Sequence, residues 1–212
     1  MYNVFMYSKR LSGAAFLFIV LLLSGCGQRQ VVRQEIEPAE EKVQVAESPY
    51  DILAKNAPDV SARYIGAKYR FGANPDDTLL SYSDCSNLIC AITRNSLSDS
   101  DYEFEPYYLS SDKIYDYTFE IEKEAVRSGD IIFFKDMKKK QNHLGLVTGR
   151  NEDVIYFIQA SSASGVIQRS TKSNGWLYYW RDRFDSFRRW KDSVFATRKI
   201  TANSRYTISN SK

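Results

Sequence analysis

One histidine and three cysteines stand among the 212 residues, and that scarcity bounds the chemistry. No Cys/His cluster with metal-ligand spacing is present, so no metal and no cofactor is expected. The same count excludes a disulfide-stapled scaffold. Charge of one sign is also lacking. The 29 Lys and Arg against 26 Asp and Glu leave a net +3, with both signs mixed along the chain. That excess is too mild to argue for nucleic acid. Lys138-Lys139-Lys140 reads as a solvated loop. No apolar run is long enough for comfortable membrane spanning, which takes about 20 residues.

What is present begins with an export pattern. Lys9 and Arg10 precede the apolar stretch Ala14 to Leu23, and small residues Ser24 and Gly25 lead to Cys26. Leu23-Ser24-Gly25-Cys26 resembles a bacterial lipobox, after which Cys26 becomes the lipidated N-terminus. Residues 1–25 are therefore expected to be a lipoprotein signal peptide. Gly27, not aspartate, follows the cysteine, which favours the outer membrane and its periplasmic face. Residues 26–57 are expected to form a polar, aperiodic tether. A domain over 58–200 and a frayed Asn/Ser-rich tail over 201–212 complete the division.

Within the domain, Asp59 to Lys68 predicts a first helix, with Val60, Tyr64 and Ala67 on one face. Asp84 to Asn95 predicts a second, nearly all-apolar helix, hence a buried one. Ser98 to Tyr117 is aromatic and acidic with weak periodicity, which predicts loop and a short helix. Strands are expected at Asp130–Phe134, Leu144–Thr148, Val154–Ala160 and Gly165–Arg169, separated by turn residues. Helices followed by a meander imply an α+β domain, with an antiparallel sheet packed on the second helix.

Cys85 opens that helix between the polar residues Asp84 and Ser86. A helix N-terminus and a nearby imidazolium lower a thiol pKa toward about 3.5–7.5. Backbone N–H groups there also receive an oxyanion. A buried, inert thiol is the plain alternative, and it fits Cys90 better, set among Leu88, Ile89, Ala91 and Ile92. Five helical positions turn Cys85 and Cys90 about 140° apart, too far for a disulfide. With one histidine in the chain, any imidazole base for Cys85 is His143. Trp176 to Lys191 interleaves aromatics with arginines. Glycan stacking is one reading, and aromatics closing the sheet with arginines facing solvent is the plainer one.

Five segments in order carry a resemblance: Tyr69-Arg70-Phe71-Gly72-Ala73, Asp84-Cys85-Ser86-Asn87-Leu88-Ile89, Ser128 to Phe134, Asn142-His143-Leu144-Gly145-Leu146-Val147, and Phe157 to Ser162. Together they resemble the NlpC/P60 family of papain-like cysteine peptidases. The resemblance implies cleavage of peptidoglycan stem peptides, at the bond between γ-D-glutamate and a diamino acid. It implies Cys85 as nucleophile, His143 as general base and acid, and Gln159 as the residue orienting the imidazole. Tyr69 falls at the family's oxyanion site, and Asp84 and Ser86 where the amino end of the stem peptide is held. Asn87 stands where the family has glycine and is expected to add a side chain near the cleft. Two other readings stay open. One is a catalytically inactive lipoprotein that binds peptidoglycan. The other is a thiol acyl hydrolase or transferase acting on a non-wall amide or ester.

Overall fold

The computed structural model describes residues 46–136 and 141–198. The expected signal peptide, Cys26 and the tail lie outside the described residues. In chain order the elements are α1 (Pro49–Ala62), β1 (Lys68–Tyr69), β2 (Tyr82–Ser83), α2 (Cys85–Ser96), β3 (Tyr102–Phe104), α3 (Ser111–Asp116), β4 (Thr118–Ile121), β5 (Ile131–Asp136), β6 (Gln141–Asn151), β7 (Val154–Ser161), β8 (Gly165–Ser170), β9 (Phe184–Trp190) and β10 (Phe195–Thr197). Among the described residues no helix is long and apolar enough to cross a membrane.

α1 corrects the expected tether. Residues 49–57 are helical and packed, so the domain begins near Ser48. Ser48 caps the helix by accepting from the Asp51 N–H, and Pro49 occupies the first helical position, where its missing N–H costs nothing. Leu53, Ala57 and Val60 then form a buried stripe at helical spacing. Pro58 reads as a breaker in sequence, yet the helix runs through it. Burial of that stripe outweighs the one backbone hydrogen bond it forfeits.

α2 forms where expected, with Asp84 as its N-cap. Leu88, Ile89, Cys90, Ala91 and Ile92 are all buried, so the helix is enclosed by the rest of the fold. Leu88→Ala at this depth belongs to the class of truncations costing about 2–5 kcal/mol.

The main sheet has six antiparallel strands in the order β4-β9-β5-β6-β7-β8. It is apolar on both faces. Leu144, Leu146, Ile158, Ala160 and Val166 belong to the core built on α1 and α2. Ile132, Phe134, Val147, Ile155, Phe157 and Phe187 form a second core on the opposite face, with Trp176 and Trp180 packed on it. Gly145 allows the crossing at the centre. A Cβ there would stand 2.8 Å from the Ile158 carbonyl oxygen and 2.9 Å from Phe157 Cδ2. At the β7–β8 turn Gly165 has φ +66°, and a Cβ would meet the Ala67 carbonyl oxygen at 2.5 Å. That close approach lets Val166 and the 66–67 segment exchange two backbone hydrogen bonds, which ties the chain after α1 to the sheet edge.

β9 reverses the expectation for its arginines. Arg188 is buried, donates to Thr118 Oγ1 and the Thr118 and Tyr115 carbonyls, and lies over the Tyr115 ring. Arg189 makes a two-point ion pair with buried Asp130, at 2.7 and 2.8 Å. Both serve the junction of β4, β5 and β9. Of the remaining arginines of the segment, Arg181 is exposed and Arg183 half-buried.

Candidate active site

Asp84 shapes the tip of α2. Its carboxylate accepts from the Asn87 N–H at 2.8 Å and the Gly72 N–H at 2.8 Å, and from Ser86 Oγ and Asn87 Nδ2 at 3.1 and 3.2 Å. These bonds join the loop after β1 to the first turn of α2. Asn87 therefore does not reach into the cleft. Its side chain turns back to Asp84, and it is absent from the cleft lining.

Cys85 follows directly. Its sulfur faces three backbone N–H groups, those of Leu144, Ser86 and Cys85 itself. The thiol pKa is nevertheless pushed up to about 11, first by burial and then by the Asp84 carboxylate beside it. The expected lowering is overturned for a physical reason. Three neutral donors do not offset desolvation plus a neighbouring negative charge. Cys90, deeper on the same helix, is raised to about 12 by burial. Both thiols are free.

His143 reaches the site from β6. It pairs with Phe134 of β5, so it stands on the sheet face away from α1 and α2. The next residue, Leu144, points its side chain into the core beneath α2 while its N–H meets Cys85. Alternation along one strand thus brings imidazole and thiol to the same sheet end. Gln159 lies on β7, and its Oε1 is 2.9 Å from His143 Nε2. An amide oxygen only accepts, so Nε2 carries the hydrogen and Nδ1 keeps a free lone pair. No hydrogen bond joins the imidazole to the Cys85 sulfur among the described residues.

The imidazole is also walled by aromatics that the sequence reading did not single out as site residues. Trp180, on a π-helical turn over Trp176–Trp180, stacks on it at 4.5 Å between centroids and 19° between planes. Phe134 packs against both rings, at 5.9 Å from His143 and 4.8 Å from Trp180. Burial lowers the His143 pKa to about 4, against a smaller opposing effect of Gln159. At neutral pH the site therefore rests as thiol and neutral imidazole. Phe134 was readable as the hairpin partner of His143, but nothing periodic marked Trp180.

These groups share one cleft of roughly 740 Å³, lined among others by Tyr69, Asp84, Cys85, Ser86, His143 and Gln159. The structure thus brings together all six of the described residues singled out from sequence. Tyr69 stands close enough to Cys85 and Asp84 that their charges, after burial, raise its phenol pKa. Ser86 is buried, with Oγ 3.5 Å from the Tyr108 hydroxyl. Tyr108, Phe71 and Tyr179 add an exposed aromatic rim.

Strand order, helix tip and cleft define an α+β fold with a thiol–imidazole–amide site, and the comparisons give it a family. The NlpC/P60 family model matches residues 66–188, more than half of the chain, and the protein belongs to that family. The fold is accordingly the α+β fold of NlpC/P60 proteins, a family of cell-wall hydrolases and peptidases. Two solved structures are similar. One is a protein described as similar to lipoprotein, NLP/P60 family, from Staphylococcus aureus subsp. aureus Mu50, with 26% identity over 66% of this chain and 41% of that one, at TM-score 0.47. The other is an NlpC/P60 family protein from Bacillus cereus ATCC 10987, with 18% identity over 65% of this chain and 40% of that one, at TM-score 0.48. The chain thus spans about two fifths of each solved chain. No curated protein matches it.

Proposed function

We propose that the protein is a cysteine endopeptidase that cleaves stem-peptide amide bonds of peptidoglycan, at the γ-D-glutamyl–diamino acid bond, from a lipid anchor on Cys26 at the periplasmic face of the outer membrane. The observation that carries this reading is the bond between His143 Nε2 and Gln159 Oε1, made in the same cleft as Cys85 at the tip of α2. It leaves Nδ1 as the basic atom of the only imidazole in the chain.

In this reading the Cys85 sulfur bonds to the scissile carbonyl carbon while its proton passes to His143 Nδ1. Transfer accompanies attack, because neither charge is favoured alone in the resting site. The oxyanion is held by backbone N–H groups at the start of α2 and by the Tyr69 hydroxyl. The imidazolium then gives its proton to the leaving amine, and the C–N bond breaks to leave a thioester. Water, deprotonated by the same nitrogen, attacks the thioester and frees the acid and the thiol. Gln159 holds the ring and its tautomer throughout, as an uncharged counterpart of the aspartate in a charged triad. Asp84 and Ser86 receive the ammonium end of the stem peptide.

A second reading is favoured by the surroundings of Cys85, whose burial beside the Asp84 carboxylate holds the proton on the thiol. It makes the protein a peptidoglycan-binding module without turnover. Digestion of purified stem peptides by the wild type and by Cys85→Ser separates the two. The peptidase reading expects product from the wild type and essentially none from the variant. Equal release by both would remove Cys85 from the chemistry. Binding without release by the wild type would establish the module.

A further inference from the structure

Arg169 lines the cleft, and among the described residues no carboxylate neutralises it. It sits on β8 opposite Phe157 of β7, while Ile167, two positions earlier, faces Gln159. Residues two apart on a strand share a face, so Arg169 and Gln159 are diagonal neighbours on one face. Their separation is on the order of 7–8 Å. The guanidinium rests beside the backbone of Gly175, where an added Cβ would stand 3.7 Å from its Cζ and Nε. It lines the cleft that holds Cys85 and His143. Its Nε is buried with no hydrogen-bond partner, and no described carboxylate pairs with it.

The other charged groups around the cleft are engaged. Arg183 donates to the Tyr179 carbonyl and lies over the Tyr179 ring. Asp84 accepts from four donors, and Asp112 accepts from Asn142 Nδ2. A buried guanidinium N–H with no acceptor carries an uncompensated desolvation cost, and an acceptor carried by a ligand would recover it.

We infer that Arg169 binds a carboxylate of the peptide in the cleft through a two-point guanidinium contact. This assignment rests on reading the cleft as a peptide site. A planar guanidinium presents parallel N–H donors that match the two oxygens of a carboxylate, which a lysine does not. Asp84 stands at the helix tip and Arg169 on the β7–β8 hairpin. The cleft therefore offers a cation without a partner on the hairpin, at a point apart from the Asp84–Ser86 helix tip to which the peptidase reading gives the peptide ammonium. The carboxylate comes either from the α-carboxyl of a γ-linked glutamate on the acyl side or from a diamino acid on the leaving side.

The full chain carrying Cys85→Ala, which removes the nucleophile so that binding is read without turnover, is titrated calorimetrically with four synthetic stem peptides. In these the glutamate α-carboxyl is free or amidated, and the diamino acid is diaminopimelate or lysine. Loss of one of the two carboxylates is expected to weaken binding about tenfold or more. The loss that appears identifies the source. Adding Arg169→Gln is expected to produce the same loss with the charged peptide and none with the neutral one, and Arg169→Lys to recover only part. Equal affinity for all four peptides, no binding of any, or an equal Arg169→Gln loss on charged and neutral peptides would overturn the inference. If Arg169→Gln fails to fold, the comparison of peptides on the intact arginine still decides. Wild-type cleavage is followed in parallel. Carboxylate-dependent binding without turnover refutes the peptidase reading and leaves Arg169 assigned, and turnover without carboxylate dependence does the reverse.

Discussion

Trp180→Ala isolates what holds the His143 imidazole neutral. The folded pKa near 4 against 6.5 for a free imidazole corresponds to about 3 kcal/mol of bias against the charged ring. Trp180 covers one face of the ring at 4.5 Å, whereas Phe134 is 5.9 Å away and more tilted. We therefore assign Trp180 the larger part of the desolvation, about 2 kcal/mol. An indole face also attracts an imidazolium by roughly 0.5–1 kcal/mol, and that attraction is lost with it. The difference, about 1 kcal/mol, raises the pKa by about one pH unit. The single histidine makes the assay clean, because the chain has one imidazole Cε1 proton, which can be titrated by NMR. A wild-type pKa at or above 6 would refute the desolvation argument, and so would an unchanged or lowered value in Trp180→Ala. The acid limb of any pH–rate profile should move up with the resonance.

The same burial couples the site to stability. The folded imidazole titrates near 4 and the unfolded one near 6.5. Between those values the unfolded chain holds the extra proton, so acidification favours unfolding. Urea melts at pH 7 and pH 4.5 should show the wild type losing about 2 kcal/mol more than His143→Gln, and equal losses would contradict the assignment. At the far end of the sheet, Arg189→Met should cost about 3 kcal/mol by leaving Asp130 buried without its partner. A change under about 1 kcal/mol in its unfolding free energy would place that pair among surface ion pairs.

Legibility from sequence followed the range of the interactions. α2 and its Asp84 cap were readable because a cap and an apolar run are local. So were β5 to β8, whose apolar runs are bracketed by turn residues. β4 and β9 were missed, since β9 pairs with β4 and with β5 only across long stretches of intervening chain, Thr118 with Trp190 and Phe134 with Phe184 at the extremes. α1 begins ten residues before the expected Asp59 and runs through Pro58, because burial of Leu53 and Ala57 against the rest of the fold, not a local signal, sets its start.

The identity of the reacting atoms was written in the chain: one imidazole, one thiol at a helix start, and an ordered set of segments around them. Their state was decided only by folding. Whether a thiol sits near 7 or near 11 depends on which neighbours exclude water and which carry charge. Here those neighbours are the Asp84 carboxylate turned beside the sulfur and the Trp180 ring laid on the imidazole. Arg169 reached the cleft by strand register, through a pairing with β7 that its own neighbours in sequence do not encode. Local pattern selects residue types, while desolvation and pairing act through space, so only the assembled sheet and helix tip could set them.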